Sequence, residues 1–145
     1  MYMDSPTDTI VCGFNCIIMH FTGKECDVAP YTDAHETINS VSIVNAATEY
    51  DNPETGDTTI LILNKAIWIG ETMDYTLVNP NQLRAYGMKV QYNPFAEAPI
   101  FISTEDHDFM LPLSSKGTIL RVTTRTPTYK ELQTRQHVTY LSVHE

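Results

Sequence analysis

Residues 58–70, TTILILNKAIWIG, place four apolar side chains in succession: Ile60, Leu61, Ile62 and Leu63. Consecutive side chains of a strand point to opposite faces, so a strand that is apolar throughout needs cover on both. The segment therefore reads as an interior strand. Just before it stand VSIVNAATEY and the turn-rich DNPETGD, in which Pro53 and Gly56 supply the backbone angles of a reversal. A β-hairpin is expected over residues 41–70, and the rest of the chain must supply what covers it.

Most of that remainder also reads as strand. Cys16 to Phe21 is a short apolar run closed by Thr22-Gly23, and Lys24 to Ser40 reads as a long surface loop with one helical turn around Asp33 to Ile38. One helix is well signalled, in VNPNQLRAYG. There Asn79 can cap the first amides, Pro80 takes the first helical position, Gln82 stands three residues after the cap and Gly87 offers a left-handed exit. After it MKVQYNPF, PIFIST, DFMLPL and GTILRVTT are spaced as short strands. The expected fold is mostly β, a small closed or partly closed β-barrel with one short helix near residues 79–86. Residues 1–125 form that domain, and residues 126–145 a C-terminal extension with a helix starting at Thr126 or Thr128 and a last strand. Ile17, Leu61, Leu63, Ile67, Leu83, Val90, Ile100, Phe109 and Leu120 are expected in the core.

Length, charge and cysteine usage narrow the function classes. With 145 residues, 42% of them hydrophobic, the chain suffices for one domain with a substantial core. Its net charge of -9 repels phosphate backbones, so no nucleic-acid partner is expected. No apolar run approaches the ~20 residues of a membrane span, and no basic-then-apolar leader is visible; a cytoplasmic or nuclear protein without a membrane partner is expected. Cys12, Cys16 and Cys26 are few and odd in number, and two lie among aliphatic residues, which suits reduced, buried thiols. With His20 they make a C-x3-C-x3-H spacing, but structural zinc sites use closer pairs and a fourth ligand is not in place. The Glu105-Asp106-His107-Asp108 run reads as an exposed acidic turn, and no His pairs with a Cys or Ser as in a triad. Neither metal nor cofactor is expected.

Asp4-Ser5-Pro6-Thr7-Asp8-Thr9 is by composition an ordinary turn. Together with AIWIGETMDYTLVNPNQLRAYGMKVQY, however, it resembles retropepsin-like aspartic proteases, in the version found in copia-type retrotransposon Pol polyproteins. The loop of Asp-Ser/Thr-x-x-Asp form, the hairpin, and the apolar strand entering a Leu-containing helix that ends at Gly (Leu83 and Gly87) carry the likeness over residues 1–125. It implies a barrel of retropepsin type and hydrolysis of a polypeptide substrate by paired aspartates of a homodimer. Asp4 would be the catalytic carboxylate, Ser5 would hold it by hydrogen bonding, and Asp8 and Thr9 would support the loop. Pro6 stands where active members have Gly; it has no N–H to donate and fixes φ. Only Met1-Tyr2-Met3 precedes Asp4, so the upstream strand of the family's dimer sheet is expected to be missing. The resemblance thus implies a weak homodimer with weak or no peptidase activity, the alternative being a non-enzymatic structural or protein-binding module.

Overall fold

The computed structural model describes residues 1–3, 10–28, 38–68, 76–85, 87–91, 100–104, 109–116, 119–134 and 137–141. Among them the strands are β1 (Tyr2–Met3), β2 (Val11–Cys12), β3 (Ile17–Val28), β4 (Ile38–Asp51), β5 (Thr58–Trp68), β6 (Leu77–Val78), β7 (Lys89–Gln91), β8 (Phe101–Ser103), β9 (Met110–Pro112), β10 (Ser114–Lys116), β11 (Ile119–Arg121) and β12 (Val138–Tyr140). The helices are α1 (Pro80–Ala85) and α2 (Tyr129–Thr134). The fold is mostly β, as the short, turn-punctuated runs predict.

Strands β4 and β5 form the expected hairpin, antiparallel from Ser42↔Trp68 to Asp51↔Thr58. At its tip Asn52 Oδ1 accepts from the amides of Glu54 and Thr55, at 2.9 and 3.3 Å, and Gly56 takes the left-handed φ of 78° that a side chain would resist. The interior reading of β5 is correct: Ile60, Leu61, Ile62 and Leu63 are all buried. Leu61 and Leu63 face the main core with Val44, Ala46 and Val78, whereas Ile60 and Ile62 pack with Ala47 in a second cluster covered by Ile17, Met19, Leu132 and Val138. The second edge of β5 is shared by two strands from distant parts of the chain. Strand β12 runs parallel to Ile60–Ile62, and β2 runs parallel to Ile67–Trp68. The segment after residue 125 therefore shares the sheet, and Leu141 lies in the main core.

Helix α1 forms for the reasons read in its sequence. Asn79 Oδ1 accepts from the amides of Asn81 and Gln82, at 2.7 and 3.3 Å. At the other end Gly87 has φ 90°, its amide donates to Arg84 O at 3.1 Å, and the Met88 amide donates to Leu83 O at 3.0 Å. This double closure brings Leu83 and Met88 together in the core. A second helix, α2, is capped by Thr128 and Glu131 reciprocally: the Thr128 amide donates to Glu131 Oε1 at 2.9 Å and the Glu131 amide to Thr128 Oγ1 at 3.2 Å.

Two expectations are corrected. Strand β3 does not stop at Phe21 but continues to Val28, because Gly23 at φ 82° absorbs the Thr22-Gly23 break as an irregularity in its pairing with β4. Residues 24–28 and 38–40 of the expected loop therefore belong to strands β3 and β4, and its residues 29–37 lie outside the described set. The barrel does not close among the described residues: the main sheet follows the open order β10-β11-β1-β6-β2-β5-β4-β3, with β12 attached to β5, and β7-β8-β9 form a separate sheet. Closure would need an edge-to-edge partner for β3 and β10, and they have none in this order. The second helix, α2, lies where the C-terminal extension was expected to start one, capped at Thr128. Of the expected core, Leu61, Leu63, Leu83 and Leu120 are buried, while Ile17, Ile67, Val90, Ile100 and Phe109 are half-buried. No helix of the described residues is long and apolar enough to cross a membrane.

Candidate functional site

The residues singled out in the sequence, Asp4, Ser5, Asp8 and Thr9, lie outside the described residues, as does Pro6. The strands before and after them in the chain are described. Strand β1 runs parallel to β6, with Tyr2 opposite Leu77 and Met3 opposite Val78. Both chains therefore leave the sheet at the same end, β1 into residues 4–9 and β6 into Asn79 and α1. On the far side of β6, Val11 of β2 pairs antiparallel with Leu77. Residues 4–9 thus join two strands that flank a third. Their anchors are firm: Met3 and Ile10 are buried, the Tyr2 amide donates to Thr76 O at 2.8 Å, and the Ile67 amide donates to Ile10 O at 2.9 Å.

Beneath this frame a buried hydroxyl organises the turn from β2 to β3. Thr76 Oγ1 accepts from the Gly13 amide at 3.0 Å and donates to Asn15 Oδ1 at 2.8 Å, while Asn15 Nδ2 donates to Thr124 Oγ1 at 2.7 Å. The Cys16 thiol lies 3.0 Å from the same Thr76 oxygen. Cys12 and Cys16 are both buried and reduced, in line with the reading of their apolar surroundings.

A second polar grouping was not singled out in the sequence. Arg125 binds three carboxylates at once. Its Nε and Nη2 reach Asp51 Oδ2 and Oδ1 at 2.6 and 3.0 Å, its Nη1 and Nη2 reach Glu131 Oε1 and Oε2 at 2.9 and 2.7 Å, and Nη1 stands 3.0 Å from Glu49 Oε2. Backbone bonds between Glu49 and Arg125, at 2.8 and 2.9 Å, hold the segment ahead of α2 against β4. The signal available in the sequence was Thr128-x-x-Glu131, a capping pair, with Glu49 and Asp51 two apart on one strand face. Nothing local in the sequence brings Arg125 to them.

One positive and three negative groups cannot all be charged without cost when one of them is buried. The side chain of Glu49 is 2% exposed, and burial, reinforced by the neighbouring Glu131, pushes its carboxyl up to about 7 against the pull of Arg125. Asp51 and Glu131 are instead held low by the hydrogen bonds that Arg125 donates. The proton of the cluster belongs on Glu49. This grouping latches α2 to the sheet and offers no open carboxylate pair for catalysis.

A pH dependence follows, with its sign. Between the ordinary value of 4.5 and about 7 the folded chain binds more protons at Glu49 than the unfolded chain does, so stability falls as pH rises through that window. The loss contributed by Glu49 is about 3 kcal/mol at most. Asp51 and Glu131 act oppositely, their contribution being lost as the medium is acidified below their unfolded values. Urea denaturation across pH 5 to 8 is expected to show declining stability that Glu49→Gln flattens. An equal decline in both proteins would assign the effect elsewhere.

On the outer face of the β3-β4-β5 sheet, His20, Thr22, Lys24 and Cys26 alternate along β3 and, with Ile43 and Ile67 as its apolar floor, line an open groove of about 500 Å³. It lies on the opposite face of β5 from Leu61 and Leu63. No family model, no curated protein and no solved structure matches the chain.

Proposed function

We propose that this chain is a retropepsin-like domain of a retroelement Pol polyprotein, whose ancestral chemistry is peptide-bond hydrolysis by a pair of aspartates, one from each of two copies. The observation that supports it is the arrangement of the strands on either side of residues 4–9 in the chain: β1 and β2 flank β6 as it enters the capped helix α1. The flanking Met3 and Ile10 are buried, and buried strand ends are the kind of rigid support that acid–base chemistry requires. In this reading Asp4 is the reacting carboxylate, Ser5 holds it, and Asp8 and Thr9 support the loop. Two such carboxylates brought together share one proton, so that one activates water while the other protonates the departing nitrogen. Pro6 withholds an amide from that arrangement, and the activity is weak or lost.

The test is cleavage of a broad peptide library at about pH 5, where one of a coupled carboxylate pair retains its proton. The expected result is little or no cleavage, with any residual activity abolished by Asp4→Asn and accompanied by weak self-association. Robust cleavage that disappears in Asp4→Asn would establish the site and overturn its impairment. Cleavage that persists in Asp4→Asn would remove Asp4 from the chemistry, and a folded chain that neither cleaves nor self-associates would be a non-enzymatic module. Pro6→Gly alone is not expected to restore activity.

A further inference from the structure

The outer face of the β3-β4-β5 sheet is covered at one end, where Ile60, Ile62 and Ala47 pack under Leu132 of α2. Further along, the same face opens into the groove of about 500 Å³, a volume in the range of small-molecule sites. Its lining falls into two rows across the three strands. In one, Lys65 of β5, Asn45 of β4 and His20 of β3 stand side by side. In the other, Ile67 pairs with Ile43, and the irregular Thr22–Lys24 stretch of β3 lies opposite, with Thr22 Oγ1 donating to Ile43 O at 2.7 Å. The backbone at Lys65 is not that of an ordinary strand: its φ of 57° is in the left-handed region that a side chain resists, and a bulge between Val44 and Ala46 accommodates it. Asn45 Oδ1 fixes that conformation by accepting from the Lys65 amide at 3.0 Å, so Asn45 Nδ2 is the atom left to donate. Strained backbone fixed by a neighbour at the rim of a cavity marks a position built for a purpose. The charges point the same way. Lys24 and Lys65 are two of only nine basic residues in a chain with eighteen acidic ones, and no Asp or Glu among the described residues lines the groove. Glu25 and Asp27 alternate with Lys24 and Cys26 along β3 and so fall on its other face.

We propose that this groove binds a small amphipathic organic anion, its oxyanion head held between Lys65, Lys24 and His20 and its apolar body laid on Ile43 and Ile67. Neighbouring strands lie about 4.8 Å apart, so β3 and β5 face each other across β4 at ~10 Å, a gap that two flexible lysine stems close on one head group. Asn45 Nδ2 and a ring N–H of His20 supply further donors on the same row. No arginine lines the groove to grip the head bidentately, so recognition rests on point charges and the apolar floor together. An inorganic anion forfeits the contact with Ile43 and Ile67, and a neutral molecule of the same shape forfeits the lysines. The site uses none of the residues assigned to peptide hydrolysis and stands or falls independently of that chemistry.

The experiment titrates the full chain with naphthalene-2-carboxylate, its neutral carboxamide and inorganic phosphate, following backbone amide shifts by NMR and the rate of iodoacetamide labelling at Cys26, which is half-buried in the groove wall. The expected result is that the carboxylate shifts Ile43, Asn45 and Ile67 and slows labelling of Cys26, while the carboxamide and phosphate each bind about tenfold more weakly, the order that two partly exposed ion pairs supply. Lys24→Gln combined with Lys65→Asn is expected to weaken the carboxylate by a similar factor and leave the carboxamide unchanged; Asn tolerates the left-handed φ, so the bulge is kept. Equal binding of carboxylate and carboxamide would reduce the groove to an apolar patch and overturn the proposal. Equal binding of phosphate would remove the floor from recognition, and shifts confined to other residues, or no shifts at all, would also overturn it. The comparison of probes on the unmodified chain decides the matter even where the double variant does not fold.

Discussion

Replacing Arg125 by Ala is expected to cost about 2 to 4 kcal/mol at pH 8, somewhat below the ~3 to 5 of a fully buried pair because the guanidinium is 39% exposed. The substitution keeps the backbone bonds to Glu49 but leaves that buried carboxylate facing Asp51 and Glu131 with no cation between them. The penalty is expected to shrink at pH 5, where Glu49 accepts a proton and its charge disappears. Urea denaturation at the two pH values distinguishes this from a simple loss of packing, which is indifferent to pH. Replacing Glu49 by Leu together with Arg125 by Met is expected to recover much of the loss, since no buried charge then remains. A loss below about 1 kcal/mol in Arg125→Ala at pH 8, or one equal at both pH values, would show that the cluster holds α2 only incidentally.

Truncating Leu83 to Ala is expected to cost about 2 to 5 kcal/mol. The side chain is fully buried in the main core, and the closing turn of α1 pins it beside Met88. The neighbours cannot collapse easily into the space, because Ile102 and Leu111 belong to the smaller sheet and are buried in the same cluster. Chemical denaturation measures the loss; a change of only a few tenths would place the helix outside the cooperative core. Asn79→Ala, which removes only a cap, is expected to cost about 1 kcal/mol, and the contrast separates packing from helix initiation.

What was legible in the sequence was what the chain settles within a dozen residues. The cap at Asn79, the exit at Gly87, the turn around Asn52 and Gly56, and the apolar run of β5 each carry their reason in adjacent residues. The end of β3 was misread because a Thr-Gly pair stops some strands and merely kinks others; which happens depends on β4 continuing alongside. The cluster around Arg125 and the parallel pairing of β12 with β5 were not legible, since each joins residues remote in sequence. The candidate loop at Asp4 was singled out from its residue types and a family likeness, and the structure describes the strands that carry it rather than the loop itself.

The divided edge of β5 has a consequence for how this chain reaches its folded state. The β4–β5 hairpin is local and can pair early, but Ile60–Ile62 keep an apolar edge unpaired until residues 138–140 have been made and have returned to it. Closing that loop comes late and slowly, because distant contacts carry the entropy of the intervening chain. During synthesis the exposed edge is a template for another copy's strand, so the last parallel strand is also the device that protects the nascent protein from aggregation.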